Sequence, residues 1–207
     1  MIFNIELCKI TNTFARSCKK FSNLDEITKN TLFFREIILR MEFTRYYSSP
    51  LGVLEVSSSI DKITRIMFKE ALKKPSRQLP ESVDCPPILI ECFRQLDAYF
   101  SGKLKCFDLA FELEGTAFQQ NVWQKLQEIP FGETTTYLDL SRKIGNEKAI
   151  RAVGTANGMN PIAIIIPCHR VIGSDGSLVG YAGDIWRKEW LLNHEGVLPK
   201  QMNLFSV

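Results

Sequence analysis

The chain is short of the residues that metal and disulfide scaffolds require. Only two of its 207 residues are histidines, His169 and His194. Its six cysteines (Cys8, Cys18, Cys85, Cys92, Cys106 and Cys168) form no Cys-x-x-Cys pair. A structural zinc site takes four Cys or His ligands at short paired spacings, so no metal site is predicted. The opening Met1-Ile2-Phe3-Asn4-Ile5-Glu6 lacks a basic stretch followed by an apolar one, which predicts no secretory signal and reduced thiols. No apolar run approaches the roughly 20 residues that cross a bilayer. The expectation is a cytoplasmic protein (nuclear in a eukaryotic cell) with no membrane partner.

A strong excess of one charge is also missing. Lys and Arg number 26 against 23 Asp and Glu, a formal net charge of +3. Residues 1–40 hold that whole excess, seven basic against four acidic, and the remainder balances at 19 against 19. Within it, residues 81–139 carry four basic and ten acidic side chains. Residues 142–170 reverse the sign, with Arg142, Lys143, Lys148, Arg151 and Arg170 against Glu147 alone. A neutral chain with one basic stripe can track phosphates while keeping non-specific affinity modest.

What is present suits an ordinary globular protein, with 45% hydrophobic and 24% charged residues and length for one sizeable domain or two small ones. Residues 1–40 show no sustained period and read as an N-terminal extension, a candidate for disorder, with Met41 an alternative start. Phe43, Arg45, Tyr47 and Val53 to Val56 lie in extended runs broken at Ser48–Gly52. A second break at Ser57–Asp61 leads to Ile63, Ile66 and Phe68, so an antiparallel meander is predicted. Residues 73–84 read as a loop. Pro86 and Pro87 open a helix whose apolar positions run from Ile88 to Phe100, and Gly102 stops it. Phe107, Leu109 and Phe111 alternate as a strand, and Gly115-Thr116 marks a seam.

Beyond that seam the periodicity is helical. Phe118, Val122, Trp123 and Leu126 mark one helix; Thr136 caps a second that Gly145 ends; a third spans about Glu147 to Ala156. Short helices joined by a tight Gly turn predict a helix-turn-helix with the third helix as reader. A last helix runs from about Trp186 to His194. The predicted class is α+β: a small antiparallel-sheet domain with a helix over 41–114, then a mostly helical, winged-helix-like domain over 115–200 and a tail over 201–207.

The chemistry-bearing stretch is Asn160-Pro-Ile-Ala-Ile-Ile-Ile-Pro-Cys168-His169-Arg170. It sets a thiol beside an imidazole at the mouth of an apolar run, and a thiol is a good nucleophile only when a base or positive field makes it a thiolate. Ile-Pro-Cys-His-Arg-Val is preceded by Arg-Ala-Val-Gly and Asn-Pro, and followed by Gly-Tyr-Ala-Gly and Glu-Trp-Leu-Leu-x-His-Glu-Gly. With Gly115-Thr-Ala-Phe-Gln119, Val122-Trp123 and Ile129-Pro-x-Gly-x-Thr134 upstream, the chain resembles the O6-alkylguanine-DNA alkyltransferases. The strong part covers about residues 115–196, and none of it reaches 1–40.

That resemblance implies a repair reaction without cofactor. Cys168 accepts the alkyl group of O6-alkylguanine, or of O4-alkylthymine, in one irreversible turnover. His169 takes the thiol proton through a water, and Glu195 orients the imidazole. Asn160 pins the turn before the cysteine. Tyr137 donates a hydrogen bond to guanine N3, and Val171, Tyr181 and the backbone of Ala182 complete the base pocket. Arg151 fills the gap left by the flipped nucleotide, and Ala152 leaves its helix room to enter the minor groove of double-stranded DNA. The protein acts as a monomer. Each residue also has a plainer reading. Glu195 is then a solvated helix-end carboxylate, Arg151 a phosphate contact, Tyr137 a core tyrosine and His194 structural or exposed. Ala182 in place of serine, Ala117 in place of proline and Asp184 in place of glycine depart from the family pattern, and Asp184 adds charge beside the binding loop. A lesion-binding protein without transfer and a turning-over cysteine hydrolase are the alternative functions.

Overall fold

The structure, a computed structural model, describes residues 41–69 and 85–197. The expected extension over 1–40, the loop over 73–84 and the tail over 201–207 lie outside the described residues. Strands β1 (Phe43–Ser49), β2 (Gly52–Ser58) and β3 (Ile63–Lys69) form the antiparallel meander in sequential order. Alternation supplies its inner face: Leu54, Val56, Ile63 and Ile66 are fully buried. Helix α1 (Pro87–Phe100) starts on a proline, whose missing N–H costs nothing in a first turn. It covers that face with Leu89, Cys92, Phe93, Leu96 and Tyr99, spaced along one apolar stripe.

The outer edge of β3 links the two halves of the chain. An unpaired edge leaves backbone donors and acceptors unsatisfied, and two distant segments take up these. Ile63 exchanges bonds with Ala110 and Glu112, and Ile66 exchanges bonds with Pro161 and Ala163, all four at 2.9 Å. The strand expected over Phe107–Phe111 is not formed. Only the bridge at Phe111 forms, because in its parallel register residues 107–110 would face 59–62, before β3 begins, and the Gln95 side chain bonds both the N–H and the carbonyl of Asp108.

In the second half α2 (Ala117–Gln127) begins with a reciprocal capping box between Thr116 and Gln119. Gly115 is obligatory there, since a Cβ would lie 2.7 Å from the Trp123 ring. Two-residue strands β4 (Thr135–Thr136) and β5 (Val171–Ile172) pair in parallel. Between them come α3 (Tyr137–Lys143), α4 (Ile150–Gly158) and a turn of 3-10 helix at Cys168–Arg170; α5 (Ile185–His194) follows. The third helix expected from Glu147 starts instead as a 3-10 turn over Glu147–Ala149, tightened by the Asn146 side chain accepting from Lys148 N. Trp123 Nε1 donates to the Ala156 carbonyl at 2.9 Å and ties α2 to α4. One hydrophobic core runs through both halves, from Leu54 and Leu96 to Trp123, Ile162 and Cys168.

Candidate active site

The apolar run before Cys168 forms no strand beyond its bridge to β3. It coils, with Ile165 N bonding to Ala163 O, Ile166 N to Ile162 O and Cys168 N to Ile166 O. Ile164 takes φ +74°, a left-handed conformation that a β-branched residue adopts only under constraint from its surroundings. Buried Asn160 supplies that constraint. Its Oδ1 accepts from Ile162 N at 3.0 Å, and its Nδ2 donates to Ile166 O at 2.8 Å and to Cys168 Sγ at 3.0 Å. One amide thus fixes the turn and supports the sulfur as an acceptor.

A buried polar cluster stands behind the cysteine. His169 Nε2 lies 2.9 Å from Glu195 Oε1, and both side chains are fully enclosed. Glu195 also accepts from the Tyr99 hydroxyl at 2.8 Å and from Arg170 Nε and Nη2 at 2.8 and 3.0 Å. Arg170 Nη1 binds the Ile129 carbonyl at 2.6 Å. Four charge-assisted bonds on one carboxylate satisfy it as few buried ions are satisfied. Burial pushes the Glu195 carboxyl up, but the bonds from His169 and Arg170 win and hold it at about 2. Burial lowers the His169 imidazole below its usual value even though Glu195 works the other way. The ring is therefore neutral near pH 7, with its proton on Nε2 facing the carboxylate. Nδ1 is then a bare acceptor, and it is buried with no hydrogen-bond partner in the structure.

Cys168 is 5% exposed, and burial raises its thiol above the ordinary range. The Asn160 hydrogen bond and the charge of Lys188 act in the opposite sense. Burial thus favours the neutral form of both the thiol and the imidazole.

The loop after Cys168 carries the remaining expected residues. Val171 is buried, Tyr181 is half-buried with its hydroxyl enclosed and unpaired, and Ala182 is exposed. The Tyr137 hydroxyl meets the carbonyls of Val179 and Gly180 at 3.0 and 3.2 Å. Tyr137 is thus half-buried against the core, with its hydroxyl committed to the loop. Lys188, fully buried on α5, donates to Val171 O at 2.6 Å and Val179 O at 2.7 Å, joining both ends of the loop. Burial brings its ammonium down to about 8. Asp184 has φ +67°, which explains why glycine suits its position, and Arg187 Nη1 binds its carboxylate at 3.0 Å. Its charge is thereby offset within the protein. A cavity of about 40 Å3 reaches Cys168 between Asn160, Ala163, Tyr181 and Phe68. A groove of about 730 Å3 beside Arg65 and Met159 does not reach the sulfur.

Helix α4 turns an exposed face of Arg151, Ala152 and Thr155 outward, with Ile150 and Met159 at its ends. Arg170 does not belong to the phosphate-tracking stripe that sequence counting assigned to it. At 7% exposure its charge is spent on Glu195. Among the described residues no group of three or more His, Cys, Asp or Glu side chains is placed to hold a metal ion. Nor is any helix among them long and apolar enough to cross a membrane.

Comparison with known proteins follows the same geometry. Residues 43–113 match the ribonuclease-like domain of 6-O-methylguanine DNA methyltransferase, and residues 117–197 match its DNA binding domain. The methylated-DNA–protein-cysteine methyltransferase of Methanosarcina acetivorans is 48% identical over 151 residues, 72% of this chain and 96% of its own. The chain belongs to the methylated-DNA–protein-cysteine methyltransferase family. The Mycobacterium tuberculosis enzyme of that name is 44% identical over 165 residues, 78% of this chain and 98% of its own. The crystal structure of the M. tuberculosis O6-methylguanine methyltransferase superposes with a TM-score of 0.66 at 44% identity, covering 80% of this chain and 99% of that one. The structure of M. tuberculosis OGT in complex with DNA gives 0.65 at 42% identity, covering 76% and 95%.

In this methyltransferase four residues shape the site that motif reading left without a role there. Arg170 and Tyr99 hold Glu195, Lys188 holds the loop, and Asn157 Nδ2 reaches the Cys168 carbonyl at 3.3 Å. Lys188 carried a signal, a lysine in the buried register of an amphipathic helix beside Leu191 and Leu192. Tyr99 carried only the weak family likeness of Tyr99-Phe100-x-Gly102, which does not reveal a partner 96 residues away.

Proposed function

We propose that the protein repairs DNA by moving the alkyl group of O6-alkylguanine, and of O4-alkylthymine, onto Cys168 once per molecule. The observation that carries this reading is a buried Sγ held by Asn160 next to an imidazole whose Nε2 is committed to an ionised Glu195. His169 Nδ1 accepts the thiol proton, directly or through one water. The S–C bond forms as the C–O6 bond breaks, and the electron pair leaves with the base. Tyr137 turns its hydroxyl from the loop carbonyls to the purine and relieves that charge. The thioether has no leaving group that water displaces readily, so the acceptor is spent. Nothing about this chemistry needs a cofactor.

A buried thiol requires the nucleotide to leave the stack, at a cost of a few kcal/mol. We place α4 in the minor groove of duplex DNA, with Ala152 allowing close approach and Arg151 entering the vacated space. Backbone groups of Val171 and Ala182, with Tyr181 over the ring, hold the base. The protein acts as a monomer at its DNA, in cytoplasm or nucleus and away from membranes. A methylated oligonucleotide in excess tests this. Transfer should stop at one methyl per chain. Further turnover would make the protein a hydrolase, and no transfer at all with retained binding would make it a silent lesion binder.

A further inference from the structure

The cavity at Cys168 has a wall that motif reading does not reach. Besides residues of the second half, it is lined by Met67 and Phe68 of β3. Phe68 is partly buried and pairs across the sheet with Leu54. Its ring is fixed from two further directions. The Arg187 guanidinium stacks 4.6 Å from its centroid, and that same side chain bonds Leu51 O at 2.9 Å and Gly183 O at 3.2 Å. At Gly183 an added Cβ would lie 2.7 Å from the Phe68 ring and 2.9 Å from that of Tyr181. Phe68, Gly183 and Tyr181 therefore stack without slack, and the sheet of the first half closes the acceptor site of the second.

We propose that Phe68 sets the size of alkyl group this protein accepts, admitting methyl and ethyl and rejecting benzyl. The inference rests on alkyl transfer to Cys168 as proposed above. In-line displacement keeps sulfur, carbon and oxygen collinear, so any substituent on the reacting carbon projects sideways into the cavity wall. The guanine ring occupies the cavity mouth at Tyr181 and Ala182, and only the alkyl group reaches the sulfur. About 40 Å3 is available there. A cavity that takes up a benzene ring is on the order of 150 Å3. A methyl or ethyl group fits without rearrangement, whereas a phenyl ring must displace Phe68, whose ring Arg187 and Gly183 hold in place.

The test compares transfer rates from duplex oligonucleotides carrying O6-methylguanine or O6-benzylguanine, read by intact mass. Wild-type protein should react with the benzyl lesion at least about a hundredfold more slowly, and Phe68→Ala should narrow that methyl-to-benzyl ratio about tenfold, whatever it does to either rate alone. Comparable wild-type rates on both lesions, or an unchanged ratio in Phe68→Ala, would overturn the gate. Where Phe68→Ala fails to fold, Phe68→Leu is read in its place, with a smaller narrowing expected and an unchanged ratio again decisive against it. A wild-type protein inert toward the methyl lesion would instead sink the transfer reading itself.

Discussion

The two working surfaces of this molecule are built on opposite principles. Glu195, at the end of α5, is enclosed and bonded through both oxygens, and its partners come from α1 and the Cys168 turn. The exposed face of α4 is local, formed by Arg151, Ala152 and Thr155 within about one helical turn. The first surface has to fix a proton and a nucleophile before substrate arrives, and only over-determined burial holds such geometry. In the proposed function the second accepts any sequence that surrounds a lesion, a task for which shape and one long cationic arm suffice. Chemistry is concentrated where the chain is most constrained, and recognition where it is least.

Glu195→Gln attacks the constrained surface most directly. It keeps the shape but removes the charge that sets the imidazole tautomer, and single-turnover transfer should fall about 10²–10⁴-fold. The same variant tests the linkage. A carboxyl depressed to about 2 from an ordinary 4.5 contributes stability that is present above 4.5 and disappears as pH falls toward 2. Acid-unfolding midpoints should move to higher pH in Glu195→Gln. The pH dependence of wild-type transfer sharpens the comparison next. Since protonated His169 cannot take the thiol proton, the rate should climb roughly tenfold per pH unit at the acid end. It should level off at a pH below the usual imidazole value of 6.5. Levelling at or above 6.5 would mean that burial does not govern the base.

Arg151→Ala probes the open surface. Duplex repair should weaken about 10- to 100-fold while transfer from free O6-alkylguanine base is retained. Equal losses on both substrates would place Arg151 with the constrained surface. The smallest effect belongs to Tyr99→Phe, which deletes one of four bonds to Glu195. A stability loss of about 1–3 kcal/mol by denaturant titration is expected, with transfer slowed less than tenfold.

Much of this was legible in the sequence because its signals are local. The meander, the Pro-started helix, the Gly-ended helix-turn-helix and the Asn160–Arg170 motif all depend on spacings within a few residues. What escaped reading depends on contacts across the fold. The alternation at Phe107–Phe111 looked like a strand, but the segment it would face precedes β3, and the Gln95 side chain bonds the Asp108 backbone instead. Arg170 counted as one more positive charge until its carboxylate partner appeared 25 residues on. Asp184 looked like an added charge beside DNA, and Arg187 at the next helical turn offsets it. Phe68 carried only a β pattern, and its place beside Cys168 follows from how sheet and turn dock.

In the proposed reaction a buried thiol, and not an accessible one, receives the alkyl group. Of the free cysteines described, Cys106 is exposed, Cys85 intermediate, and Cys92 and Cys168 buried. Burial, with the Glu91 charge adding to it, drives Cys92 up to about 12, whereas at Cys168 the Asn160 hydrogen bond and the Lys188 charge act against burial. Peptide mapping after reaction with an O6-methylguanine duplex decides the matter. The account predicts a single added methylene, on the peptide containing Cys168 and on no other. A methylene on Cys106 or Cys85, or spread among several cysteines, would contradict it.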